Sequence, residues 1–188
     1  MINRRAPCGV ILLSTFLLAG CSGVFGPSPA EQADQAISEA NESIAEHNRL
    51  FDEARGTYAD VKQQIESGDD PSAQQDRITQ ARDKMEEARS RLQDARDSLS
   101  GVADLDVDPA VKRYASTLSD AMGAQISAED REIEFYALLE EDPSLQDNRE
   151  EAENLLEQVG KDYERAEQAY AEARDLADEN PNLIEATQ

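Results

Sequence analysis

The sequence predicts an all-α fold: an antiparallel up-down-up-down four-helix bundle with coiled-coil-like heptad seams. Three observations carry this. The 188-residue chain is 5% aromatic and has no tryptophan, too little for a thick globular core. Apolar residues recur at helical spacing through a densely charged sequence. Four capping residues stand directly before proline, at Ser28-Pro29, Asp70-Pro71, Asp108-Pro109 and Asp142-Pro143. Proline suits the first helical position because its missing N–H would be unpaired there in any case.

The bundle is expected over 28–180, with helices at about 28–67, 71–100, 109–141 and 143–179. In the first, Ser28 and Glu31 make a capping box. Its seam runs Ala30, Ala33, Ile37, Ala40, Ile44, His47, Phe51, Ala54, Tyr58, Val61 and Ile65. Steps of three and four alternate without a break, the period of a coiled-coil stripe. The second repeats the pattern with Ile78, Ala81, Met85, Ala88, Leu92, Ala95 and Leu99. Large and small residues alternate, which lets facing helices interlock. The third stripe is less regular: Val111, Ala115, Leu118, Met122, Ile126, Ile133 and Ala137, widened by Tyr114, Phe135 and Leu139. The fourth carries Ala152, Leu156, Val159, Tyr163, Ala166, Tyr170, Ala173 and Ala177. Residues 181–188 are expected as a tail.

Short links at Gly68-Asp69 and near Asp142 require antiparallel neighbours. The longer link from Gly101 to Val107 should cap one end of the core with Val102, Leu105 and Val107. The helix starts are 42, 38 and 34 residues apart, close to a solenoid period. Each interval holds one long helix and not a helical pair, which disfavours a repeat protein. Helices of this length make a rod about 45–55 Å long.

The N-terminus has a different character. Arg4 and Arg5 precede an apolar run, Val10 to Leu18, that ends in Leu18-Ala19-Gly20-Cys21. The run is far shorter than the ~20 residues of a membrane-spanning helix. A basic start, a short apolar middle and small residues at the end read as an export signal over 1–20. The last four residues resemble the lipobox of prokaryotic lipoproteins. That resemblance implies cleavage before Cys21 and a lipid on its thiol. The mature chain is then exported and lipid-anchored to a membrane, facing the periplasm or the exterior. Arg4-Arg5 also suggests twin-arginine export, but Ala6-Pro7-Cys8 follows without an apolar pair, which favours the general route. Cys21 and the Gly/Pro/Ser segment to Pro27 form a tether reaching about 20–25 Å. With Cys8 removed and Cys21 acylated, the mature fold has no cysteine for a disulfide, thiolate metal site or nucleophile.

Losing residues 1–20 removes Arg4 and Arg5 and no acid. The remaining 168 residues carry 16 basic and 41 acidic side chains, a net charge of −25. Arginine outnumbers lysine 14 to 4 in the whole chain. Such acidity suits life at high salt, where self-repulsion is screened over roughly 3 Å at 1 M. Alternatively, the acidic faces attract a basic partner or divalent cations. Nucleic acid is excluded as a partner, since its phosphates would be repelled. Charge is uneven: residues 72–100 have six acids and six bases, whereas 145–180 have twelve acids and four bases. Solvated i,i+4 pairs explain this balance. The functional alternative offers Arg77, Arg82, Arg89 and Arg96 to an acidic protein partner.

Candidate chemistry is sparse. His47, the only histidine, falls on the first seam. Symmetric turns would set it in a layer with Leu92, Leu118 and Tyr163 or Ala166. It is expected to bond to Tyr163 or a backbone carbonyl, or to set register as a polar seam residue. With Met85 it is also a weak candidate haem ligand, though no Cys-x-x-Cys-His occurs. Asp104, Asp106 and Asp108 have the spacing that opens a calcium loop. The sixth and twelfth places, which need glycine and glutamate, hold Pro109 and Ala115. A lone histidine cannot supply paired Glu-x-x-His di-iron ligands, nor a catalytic triad from a core position. No enzyme activity, cofactor or metal is therefore expected. The expected role is a structural or protein-interaction module, a spacer or adaptor of the cell envelope with an unidentified protein partner. The alternative is a lipoprotein that captures a ligand or cation in a pocket between helices.

Overall fold

A computed structural model describes residues 26–180; the lipobox with Cys21 and the tail 181–188 lie outside the described residues. Four long helices, with two 3₁₀ turns, make up the described chain, and no strand occurs among the described residues.

Helix α1 spans Pro29–Glu66. Ser28 Oγ accepts from the Glu31 N–H at 3.2 Å, and Glu31 accepts from the Ser28 N–H at 2.7 Å. These bonds satisfy two donors that the first turn would otherwise leave unpaired. The same contacts hold the Glu31 carboxyl below its ordinary range. The helix buries Ala33, Ile37, Ala40, His47, Leu50, Phe51, Ala54 and Val61. It stops at Gly68, whose φ of +104° is open to glycine and strained for other residues.

Asp70 caps a single 3₁₀ turn, Pro71–Gln74, by accepting from the Ser72 N–H at 3.0 Å. Helix α2, Gln75–Ser100, follows directly. Ile78, Ala81, Met85, Ala88, Leu92, Ala95 and Leu99 are its buried residues. A second 3₁₀ turn, Gly101–Asp104, buries Val102, and Leu105 and Val107 pack on the core beside it. Asp108 then caps α3, Pro109–Glu141, by accepting from the Ala110 N–H at 2.7 Å.

Helix α4 spans Arg149–Glu179, beginning six residues later than the expected start at Pro143. Asp142 is the cause. Its carboxylate accepts from the Ser144 hydroxyl at 2.7 Å and from the Asp147 N–H at 2.9 Å. Leu145 meanwhile sits at φ +50°. The carboxylate that looked like a helix cap instead folds 142–148 into a turn.

Cross-helix contacts order the helices. Lys84 meets Glu53 at 3.3 Å and Arg77 meets Asp60 at 3.4 Å, joining α1 to α2. Arg89 meets Asp130 at 2.9 Å, and Gln75 donates to the Glu140 carbonyl at 2.9 Å, joining α2 to α3. Arg131 donates to Gln158 at 3.0 Å, and Tyr170 to Gln125 at 2.8 Å, joining α3 to α4. In each pair, residue numbers rise along one helix as they fall along the other. Close backbone approach is confined mainly to these three pairs. Helices α1 and α4 meet through long side chains, with the Phe51 and Tyr163 ring centroids 6.2 Å apart.

The α2–α3 register differs from the expected one. The level of His47 holds Gln125 and Glu129, not Leu118. The 3₁₀ turn Gly101–Asp104 packs against both α1 and α3. The chain therefore runs on past the end of α2 before α3 returns, and α3 is displaced by about two to three helical turns.

Two apolar clusters result. One gathers Phe51, Val61, Ile78, Met85, Phe135 and Tyr136. The other gathers Ile37, Leu92, Leu99, Val102, Met122 and Ile126. Phe51 stacks on His47 at 5.4 Å and lies under the Arg55 guanidinium at 4.5 Å. Phe51→Ala is expected to cost about 3–5 kcal/mol through lost burial and the cavity left behind. Glu46→Ala, in an exposed pair with Arg49, should change stability by less than about 0.5 kcal/mol. Urea denaturation of both variants checks this, and equal effects would mean that Phe51 is not packed as described.

Candidate functional site

Between the two apolar clusters lies a polar layer. Four charged or polar side chains in it are nearly inaccessible to water: His47 (1% exposed), Glu129 (0%), Glu132 (7%) and Asp162 (5%). Each reaches another helix.

His47 projects from α1, and its Nε2 lies 2.8 Å from Glu129 Oε1 on α3. Its Nδ1 faces Asn48 Oδ1 at 3.1 Å. The Gln125 amide donates to Glu129 Oε1 at 2.9 Å, and Gln125 in turn accepts from the Tyr170 hydroxyl of α4. Glu129 Oε2 has no hydrogen-bond partner.

One turn further along α3, Glu132 gathers three donors. The Arg55 guanidinium of α1 donates to both of its oxygens, at 3.2 and 2.8 Å. The Tyr136 hydroxyl donates at 3.1 Å and the Tyr163 hydroxyl of α4 at 2.9 Å. The guanidinium also lies over the Tyr163 ring, 4.8 Å from its centroid. Burial, and secondarily the Glu132 charge, push the Tyr136 and Tyr163 phenols well above their ordinary range. The same two causes push Tyr58 up to about 12. Asp162 on α4 takes Arg131 of α3 and Arg165 of its own helix.

The sequence-predicted residues are placed as follows. Cys21 lies outside the described residues. His47 is in the core, but its partner is Glu129 and not Tyr163 or a carbonyl; the Tyr163 hydroxyl is taken by Glu132. Both His47 ring nitrogens have polar neighbours, so ligating haem iron would require displacing one. Asp108 is occupied as the α3 cap. Neither it nor Asp104 and Asp106 belongs to a metal-holding group of three or more His, Cys, Asp or Glu among the described residues. Three of the four candidate α2 arginines pair with acids of the protein itself. Arg77 pairs with Asp60, Arg82 with Glu140 and Glu86, and Arg89 with Asp130. Arg96 lies over Gly123 on α3 and has no ion pair among the described residues. These four therefore do not form a free basic patch. Two surface grooves run between α3 and α4, one lined by Glu134, Asp147, Glu150, Glu151 and Leu155, the other by Asp130, Arg131 and Glu134.

Sequence reasoning missed Glu129, Glu132 and Asp162. A signal for the first was present. The α3 stripe jumps from Ile126 to Ile133, and the seam position between them holds Glu129. Comparison of the chain with known protein families, with curated proteins and with solved structures finds no match.

The layer fastens α1, α3 and α4 together through charge. Glu132→Ala removes the acceptor for one guanidinium and two phenols. It should cost about 3–5 kcal/mol, because breaking a buried pair strands the surviving partner. Glu157→Ala, which breaks an exposed pair with Lys161, should cost under about 1 kcal/mol. Thermal or urea denaturation distinguishes the two, and a harmless Glu132→Ala would mean that water already reaches the layer.

Proposed function

We propose that the chain is an exported lipoprotein, anchored through lipid on Cys21, whose helices stand off the membrane as a structural or protein-interaction module of the cell envelope. In this reading the helices form an antiparallel up-down-up-down bundle with heptad seams. The sense of the cross-helix ion pairs supports that topology. So do the buried residues of α2, which recur in steps of three and four. The observation that carries the functional reading is Leu18-Ala19-Gly20-Cys21 at the end of a short apolar run, followed within eight residues by a capped helix. No helix among the described residues is long and apolar enough to cross a membrane, so attachment in this reading falls to the lipid. Long helices with a charge-locked middle suit a spacer, because a rigid element holds partners at a fixed distance.

Cys21→Ser is the direct test. It should release the protein from the membrane fraction or leave the signal uncut. One acyl chain gives only marginal binding, whereas two hold stably at roughly 0.8 kcal/mol per buried CH₂. A Cys21→Ser protein that loses its signal and still sediments with membranes contradicts the proposal.

The charge admits its own test. Exposed carboxylates crowd α4, from Glu150 and Glu151 through Glu164 and Glu167 to Glu179. If their repulsion limits stability, the melting temperature should climb between about 0.05 and about 2 M KCl as screening shortens. A flat response would separate the acidity from salt adaptation and leave binding as its explanation.

A further inference from the structure

Two aromatic faces and a buried carboxylate enclose a cation in the seam between α1 and α4. The Phe51 and Tyr163 rings meet edge to face, at 66° to one another. The Arg55 guanidinium lies in the corner between them, 4.5 Å from the first centroid and 4.8 Å from the second. Ring faces attract a guanidinium. Glu132 closes the inner side and is itself held by the Tyr136 and Tyr163 hydroxyls. These walls come from three helices, but the occupant comes from the rim. The Arg55 side chain is 45% exposed, and Glu132 is its only ion-pair partner among the described residues. The seam is also the open side of the molecule, since the backbones of α1 and α4 stand apart over most of their length.

The surroundings of the seam suit an incoming cation. Glu164 and Glu167 flank Tyr163 on α4, exposed and without an ion pair among the described residues. Leu156, two turns before Tyr163 on the same face, is 47% exposed and gives an apolar footing. Asp52, three residues before Arg55 on α1, is exposed and has no ion pair among the described residues, so a released Arg55 has a carboxylate within reach. Removing Arg55 with nothing in its place would strand the buried Glu132. Exchange for a second guanidinium keeps the charge pair, the two-point fork and both ring contacts. An ammonium keeps the charge but cannot serve both carboxylate oxygens in one plane. We propose that the cage of Phe51, Tyr163 and Glu132 is a recognition site for an arginine side chain of a basic partner protein, held shut in the free chain by Arg55. The incoming arginine enters between α1 and α4, takes Glu132, and releases Arg55 toward Asp52. This gives the interaction-module reading its contact point and rests on that reading for the partner, whereas the site itself is independent of Cys21 and is tested without a membrane.

The full chain, carrying isotope-labelled arginine, is titrated with unlabelled acetyl-arginine amide and, separately, with acetyl-lysine amide. The Arg55 Nε–H signal in the NMR spectrum is identified by its loss in Arg55→Lys. It should move toward the position of a freely exposed arginine with the arginine probe, and should need at least about tenfold more of the lysine probe. Arg55→Ala empties the cage. The arginine probe should raise the melting temperature of this variant saturably and bind it at least about tenfold more tightly than wild type, which must first release its own occupant. A wild-type Arg55 signal that stays in place, or that responds equally to both probes, overturns the proposal, and does so even if Arg55→Ala fails to fold. Equal affinity of Arg55→Ala and wild type for the arginine probe would put the binding elsewhere on the acidic surface and overturn it as well.

Discussion

Charge cannot be left alone away from water, and that constraint organises the middle of this molecule. Glu129, Glu132 and Asp162 all sit where water hardly reaches. Each must find a donor on a neighbouring element, and the donors found come from three helices. Arg55 and His47 arrive from α1, Arg131 from α3, and Tyr163 and Arg165 from α4. A slip of α1, α3 or α4 by one turn would break several of these bonds together. Stranding one buried partner costs about 3–5 kcal/mol, comparable to losing a large core side chain.

The apolar clusters on either side do not have this selectivity. Seams built from Ala, Ile, Leu and Met can exchange neighbours at modest cost, because similar knobs fit similar holes. Small residues are frequent in both clusters: Ala54 and Ala88 on one side, Ala40, Ala95 and Ala115 on the other. They let helices approach closely but say little about which helix should approach. The polar layer supplies the missing information. Whether it also adds net stability over an apolar layer is a separate matter, since buried ion pairs often do no better than packed hydrocarbon. Its effect is to make one register much better than the alternatives.

The legibility of the sequence divides along the same line. The four-helix content was readable, because caps and apolar periodicity are local. All seven expected α2 positions are buried. Errors came where a local signal had a different tertiary use. Asp142-Pro143 looks like Asp108-Pro109, yet the Asp142 carboxylate is consumed by Ser144 and Asp147, and the helix starts later. The link after α2 caps one end of the core with Val102, as its apolar residues predict, but it also sets the register of α3. Its 3₁₀ turn extends the chain, so Leu118 gave way to Glu129 opposite His47. The site itself was mostly hidden. A glutamate in a sequence this acidic reads as surface, and only its seam position marked Glu129 as a core residue.

The arginines complete the argument. Their excess over lysine accompanies an acidity suited to high salt, and the balanced charge of α2 reads as solvated i,i+4 pairs or, alternatively, as an offered patch. The structure shows several of them joining one helix to the next. A guanidinium can hold two carboxylate oxygens at once in a fixed plane, which an ammonium cannot. Arg55 does this to Glu132, and Arg89 reaches both oxygens of Asp130 at 2.9 and 3.5 Å. Arg82 and Arg131 likewise bind acids on the next helix. Four of the six basic residues of α2 thus join it to a neighbouring helix. What remains outward is the surplus of acid, concentrated on α4. A macromolecule approaching the described surface of α4 meets carboxylates first. In the spacer or adaptor role proposed here, complementarity therefore favours a basic partner surface over the acidic one that the arginine count alone would suggest.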